Sequence, residues 1–172
     1  MKKKNKNKGF LIWITGLSGS GKTSLANAIK PSIQKNYGKT LVINGDDLRK
    51  FFNLNKYDKI SRLTYGKQYS KFLKFITDQN INVIFAVVGL FEELRKWNKK
   101  HINNYFEIFV KAKVSKIKKS KRKKIYIKKS SNNIVGIQIK PEYPKQPNIV
   151  LINDFKKNIK QLSEDLIKKI IK

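Results

Sequence analysis

Gly16, Leu17, Ser18, Gly19, Ser20, Gly21, Lys22 and Thr23 together spell G-x-x-x-x-G-K-[ST] in full. Each position has a physical task. The glycines let the backbone wrap tightly enough for successive N–H groups to converge on phosphate oxygens. A helix beginning at about Lys22 would aim its positive end at the same anion. Lys22 supplies a mobile charge for the β and γ phosphates, the Thr23 hydroxyl suits Mg²⁺, and Ser24 continues the loop into the helix. The competing reading is a chance glycine-serine turn in a lysine-rich protein. The apolar run 10–15 before the motif and the helical pattern after it supply the strand–loop–helix context that the motif requires. The expected cofactors are therefore ATP and Mg²⁺, and the expected chemistry is phosphoryl transfer.

Phosphoryl transfer also needs a carboxylate to engage the metal or orient the acceptor hydroxyl. The chain has only eleven acidic residues, so elimination is informative. Asp58, Asp78, Glu107, Glu164 and Asp165 fall in expected helices, helix approaches or strand bodies. Asp46 and Asp47 directly follow the second expected strand, at the end where chemistry occurs in open α/β sheets. Asp is also a common helix N-cap. One of the two can cap while the other works, and the catalytic role is assigned to Asp46 with Lys22.

The elements that must position these groups are legible as short apolar runs at 10–15, 40–44, 81–88, 105–110 and 148–152, each read as a buried strand. Helical patterns lie at 60–79, 91–103, 114–120 and 155–171, besides the helix from Lys22. Pro31 either kinks that first helix or starts a second segment. Strands alternating with helices imply an α/β fold, a parallel sheet of about five strands covered on both faces. Residues 121–145 break the alternation with lysines, Gly136, Pro141 and Pro144, and read as a lid. The organisation expected is a basic tail at 1–8 and a single domain at 9–172.

The absence of cysteine excludes disulfides, a thiolate nucleophile and Cys-ligated zinc, and the lone His101 cannot build a His-based metal site. No apolar run approaches the ~20 residues that span a bilayer, which points to a cytoplasmic protein without a membrane partner. A net charge of +29 attracts polyanions, but all but four of the forty basic residues are lysine, as AT-rich coding favours. Asn55, Lys56, Tyr57 and Asp58 match the N-K-x-D guanine-reading motif, yet sit early in a polar stretch with no strand before them. We read that match as chance.

These residues resemble the adenylylsulfate kinases over most of the chain. Residues 12–23 are close to that family's first strand and loop, and Asn44, Gly45, Asp46, Asp47, Leu48 and Arg49 resemble its D-G-D-[ND]-x-R segment. Tyr57 and Arg62 fall where the family has an aromatic and an arginine facing the acceptor. Residues 123–126 look like K-G-L-Y at the start of its lid. Gly136, Ile137, Glu142, Pro144, Pro147, Ile149 and Val150 keep the register of G-I-D-x-P-Y-E-x-P-x-x-P-x-I-V.

The resemblance implies transfer of the ATP γ-phosphate to the 3′-hydroxyl of a 5′-activated nucleotide, in a protein that is commonly a homodimer. It implies that Asp46 engages metal and the attacking hydroxyl, and that Arg49 and Arg62 hold the acceptor's phosphate end. The departures cluster on the acceptor side. The lid motif F-T-G-I-D is Ile134, Val135, Gly136, Ile137, Gln138 here, so the phenylalanine expected to stack on the base is replaced by Ile134. An asparagine of the family becomes Tyr65, and I-S-P becomes Val88, Gly89, Leu90. A lost aromatic–base stack is worth roughly 1–3 kcal/mol. The expectation is therefore a branch with another acceptor, cytidine diphosphoramidate for capsule decoration, with adenylylsulfate as the alternative. A basic nucleic-acid-binding protein or polynucleotide kinase is the reading from another class. No aromatic-rich RNA-binding motif or zinc finger supports it, and a nucleic-acid partner is not expected.

Overall fold

The computed structural model describes residues 5–120 and 133–171. Five strands, β1 (Leu11–Thr15), β2 (Thr40–Asn44), β3 (Asn82–Val87), β4 (Tyr105–Lys111) and β5 (Ile149–Ile152), form one sheet in the order β2-β3-β1-β4-β5. Every pairing is parallel. Six helices cover it: α1 (Lys22–Tyr37), α2 (Gly45–Phe51), α3 (Lys59–Asp78), α4 (Glu92–His101), α5 (Val114–Lys119) and α6 (Ile159–Ile171). All five expected strands are present.

The central strands are buried on both faces, as a doubly covered parallel sheet requires. From β1, Ile12 and Ile14 enter a core shared with Leu25, Ile29 and Ile33 of α1 and Leu162, Leu166 and Ile170 of α6. Leu11 and Trp13 point the other way, into a core with Tyr69 and Leu73 of α3. A third cluster lies beyond the carboxyl edge of the sheet. It joins Leu17 to Leu90, Phe91, Leu94, Phe109, Ile117, Ile134, Val135 and Ile139.

Several local outcomes refine the sequence reading. α1 runs continuously through Pro31. α2 was foreseen only as a helix that Asp46 or Asp47 would cap; Asn44 occupies its N-cap position, so neither Asp46 nor Asp47 is the cap and both lie in its first turn. Asp47 Oδ2 instead accepts a hydrogen bond from Asn44 Nδ2 at 2.8 Å. Asp58 is a true N-cap, accepting from Ser61 N at 2.9 Å ahead of α3. α6 starts at Ile159 because residues 153–158 form a turn, with Phe155 at φ 66°. Of the lid assigned to 121–145, residues 121–132 lie outside the described residues. The remainder is held down: Glu142 N donates to Leu90 O at 2.9 Å, and Glu142 Oε2 accepts from Glu92 N at 2.6 Å.

Asn82 ties the amino-terminal edge of the sheet together. It is 1% exposed; its Oδ1 accepts from Phe10 N at 3.0 Å and its Nδ2 donates to Tyr37 O at 2.9 Å. Asn82→Ala would remove the side-chain partners of Phe10 N, just before β1, and of Tyr37 O at the end of α1. It should destabilise the protein by about 1–3 kcal/mol in denaturant unfolding. Steady-state constants should stay near wild type, because the site lies at the opposite edge.

Candidate active site

The phosphate-binding loop leaves the carboxyl end of β1, Asp46 follows β2, and Val88 and Gly89 follow β3. These strands are neighbours in the sheet, so three loops converge on one point. There they enclose a cavity of about 240 Å³. One side is made by Ser18, Gly19, Gly21, Lys22, Thr23 and Ser24. The other is made by Asp46, Arg49, Arg62, Val88 and Gly89, over a floor that includes Trp13.

The loop has the backbone its glycines were expected to allow. Gly19 and Gly21 sit at φ 76° and 98°, in the left-handed region that L side chains adopt only with strain, and Gly21 occupies the N-cap position of α1. No side chain caps α1 there, so the first amides of the helix face the loop. Lys22 lies along the loop with Nζ donating to Leu17 O at 2.7 Å. Ser20 is fully buried, and its carbonyl is pinned by Asn153 Nδ2 at 2.9 Å. Gly16 begins the turn, while the Leu17 side chain points away from the cavity into the cluster with Ile134. The arrangement is a cradle for an oligophosphate. Among the described residues there is no cluster of three or more His, Cys, Asp or Glu able to hold a metal. That suits Mg²⁺ in a nucleotide kinase, which is held by one or two protein oxygens plus substrate phosphates. Thr23 and Asp46 lie on the cavity wall where such oxygens are needed.

The side of the cavity opposite the phosphate loop carries two arginines. Among the described residues, neither Arg49 nor Arg62 has a carboxylate within ion-pairing distance. Arg49 Nη1 donates to Leu54 O and Lys56 O at 3.1 and 2.8 Å, which fixes the side chain while leaving further N–H groups. Arg62 Nε donates to Tyr57 O at 2.6 Å, and Nη2 to Asn133 O at 3.0 Å. Burial, and then the charge of Arg49, lower the pKa of Arg62, the behaviour of a cation held next to a like charge. Two adjacent guanidiniums without a carboxylate make an anion site.

The expected site residues therefore separate into two groups. Those of the loop, with Asp46, Arg49, Arg62, Val88 and Gly89, come together. Tyr57 and Tyr65 do not line the cavity. Both pack on Arg49, their ring centroids 4.3 and 5.2 Å from its guanidinium carbon. Ile134 is 4% exposed and lies in the apolar cluster with Leu17 and Leu90. Trp13, Gly66, Tyr69, Phe91 and Leu94 complete the cavity and were not singled out from sequence. An interior glycine in an otherwise strong helix, Gly66, was the one available signal among them.

The comparisons with known proteins agree with this geometry. The family model for adenylylsulphate kinase matches residues 8–152. The cytidine diphosphoramidate kinase of Campylobacter jejuni is 32% identical over 168 residues, covering 96% of this chain and 98% of that protein. The adenylyl-sulfate kinase of Buchnera aphidicola (from Schizaphis graminum) is 30% identical, with 98% and 83% covered. Among solved structures, the APS kinase of Mycobacterium tuberculosis in complex with AMPPNP and APS superposes with a TM-score of 0.82. At 24% identity, with 96% and 99% covered, it establishes the shared fold. With its phosphate cradle, Asp46 and paired arginines converging on one cavity, this chain belongs to the adenylylsulphate kinase family and is an ATP-dependent phosphotransferase.

Proposed function

We propose that the chain transfers the γ-phosphate of ATP to the 3′-hydroxyl of a 5′-activated nucleotide, with cytidine diphosphoramidate as the acceptor. The observation that carries this reading is the composition of the cavity. It runs from the phosphate cradle past Asp46 to two guanidiniums that, among the described residues, form no ion pair, and Ile134 is turned into the core where the family places a base-stacking aromatic. A pyrimidine needs less stacking surface than a purine. The near end-to-end match to a kinase of that name supports the same acceptor.

On this reading residues 16–24 hold the triphosphate, and Lys22 leaves Leu17 O to meet the β and γ oxygens. A bound Mg²⁺, held by Thr23 and Asp46 with the phosphates, would supply charge neutralisation. Asp46 accepts the proton of the 3′-hydroxyl and aims its oxygen at the γ-phosphorus. Arg49 and Arg62 grip the acceptor's 5′ phosphates, with the Tyr57 and Tyr65 rings packed on Arg49. Val88 and Gly89 wall the sugar and base, and Ile134 supports Leu17 from beneath. The homodimer comes from the family resemblance, and the cytoplasmic location from the lack of a long apolar run in the sequence. Among the described residues no helix is long and apolar enough to cross a membrane. Adenylylsulfate is the second reading, favoured by the relatives of that name.

Four measurements test these assignments. Lys22→Ala should fold and lose at least ~10²-fold in phosphoryl transfer, the scale of a lost electrostatic contact to the transferring group. Asp46→Asn should lower kcat by at least ~10²-fold, whereas Asp47→Asn, whose partner is Asn44, should stay within about threefold; the reverse ranking would move the catalytic role to Asp47. Under identical Mg-ATP, kcat/KM should favour cytidine diphosphoramidate over adenylylsulfate by at least ~100-fold. Equal or better use of adenylylsulfate would return the chain to sulfate activation. A 3′-deoxy acceptor should bind without reacting.

A further inference from the structure

The loop after β3 forms a wall of the cavity, and three consecutive carbonyls in it are held by three different elements. Val88 O accepts from Thr15 Oγ1 at 2.6 Å, and Thr15 is the residue immediately before the phosphate loop. Leu90 O accepts from Glu142 N at 2.9 Å. Between them, Gly89 O faces Arg95 Nη1 of α4 at 3.4 Å. Gly89 has little freedom on its other side. It sits at φ 41°, and a Cβ there would lie 2.7 Å from Cζ2 of the Trp13 indole that floors the cavity.

The contact to Gly89 is charged and buried. Arg95 and Glu107 are 7% and 8% exposed, and Arg95 Nε lies 3.2 Å from Glu107 Oε1. Glu107 is in register with Trp13 across β1 and β4, so the two side chains share a face of the sheet. A buried ion pair is a poor general stabiliser, because desolvation offsets most of the attraction. This sequence also uses lysine for nearly every cation. Its four arginines are Arg49, Arg62, Arg95 and Arg122. Arg49 and Arg62 line the acceptor side of the cavity, Arg95 stands directly behind its wall, and Arg122 lies outside the described residues. A guanidinium spans two acceptors at fixed geometry, which an ammonium does not.

We propose that Arg95, held by Glu107, is a positioning residue that fixes the Gly89 wall of the acceptor subsite and so sets acceptor affinity without touching the acceptor. The proposal rests on the assignment of this side of the cavity to the acceptor. It has a pH consequence. Burial pushes the Glu107 carboxyl up from 4.5 to about 7, against the opposing pull of Arg95 and Lys99. The groups around it are Arg95, Asn98 and Lys99 of α4, Tyr105 on its own strand, and Trp13 of β1. Protonation removes the partner that holds Arg95, so acceptor affinity falls as pH drops through about 7. Stability responds in the opposite sense. A carboxyl whose pKa is raised on folding contributes stability below 4.5 that is lost as pH rises through about 7. Weaker acceptor binding on acidification is therefore not a loosening of the fold by this group.

Arg95→Lys keeps a charge opposite Glu107 but cannot also reach the Gly89 carbonyl. In the full-length protein it should raise the acceptor KM about tenfold, leaving kcat and the KM for ATP within about twofold. Glu107→Gln should show the same rise at about pH 8 and no further change down to about pH 6, where the wild-type acceptor KM climbs. Both cytidine diphosphoramidate and adenylylsulfate are assayed. If neither is phosphorylated the acceptor assignment fails, and amide hydrogen exchange in the unliganded proteins then decides the positioning role. Residues 88–91 should exchange faster in both variants while residues 16–23 are unchanged. An unaltered acceptor KM in Arg95→Lys, a parallel rise in both KM values, a wild-type acceptor KM flat with pH, or unaltered exchange overturns the proposal.

Discussion

A phosphate chain offers a protein little to grip except negative charge, and the fold is arranged around the backbone that meets that charge. The loop after β1 can present its amides only if β1 is held rigidly in the middle of the sheet, with β3 on one side and β4 on the other. Both flanking pairs are in continuous parallel register. Both faces of β1 are buried, by α1 and α6 on one side and by α3 on the other. The same parallelism brings the ends of β2 and β3 to the same edge. That edge is where Asp46 and the Val88–Gly89 wall are needed.

Scarcity of acid gives the site its polarity. Among the described residues, six carboxylates are ion-paired with lysine or arginine: Asp78, Glu92, Glu93, Glu107, Glu142 and Asp165. Others work locally, Asp58 as the cap of α3 and Asp47 as the partner of Asn44. Among the described residues no ion pair engages Asp46, although lysine is the commonest charge in the chain. A carboxylate kept out of ion pairs beside a phosphate cradle is available for a metal and a hydroxyl.

How much of this was legible in the sequence depended on how local the cause is. The strands and the cradle were legible because apolar runs and glycine φ preferences act over a few residues. The α2 helix was given no range because it is one short segment of seven residues, and its cap is Asn44 and not the Asp46 or Asp47 expected there. Ile134 shows the limit of register. Its place in the lid motif was readable, but its direction is set by Leu17, Leu90 and Phe91, which are far away in sequence. Glu107 was set aside as a strand-body residue. Only the packing of α4 on β4 reveals that it holds an arginine, and nothing in its neighbours Phe106 and Ile108 signals a partner twelve residues earlier.

The two halves of the cavity differ in how they are built, and the difference bears on how the family varies its acceptor. The ATP half consists of main-chain amides set by glycines, so almost any change there breaks it. The half assigned to the acceptor consists of side chains and one loop, tied by Thr15 to β1, by Arg95 to α4 and β4, and by Glu142 to the described part of the lid. Such a wall can change its inward residues while its carbonyls stay pinned, because the ties are made to backbone and not to the side chains at 88–90. The substitutions that distinguish this chain at Val88, Gly89 and Leu90 lie on that pinned loop. On the proposed reading, the γ-phosphate is thus delivered from an unaltered cradle to a differently shaped acceptor.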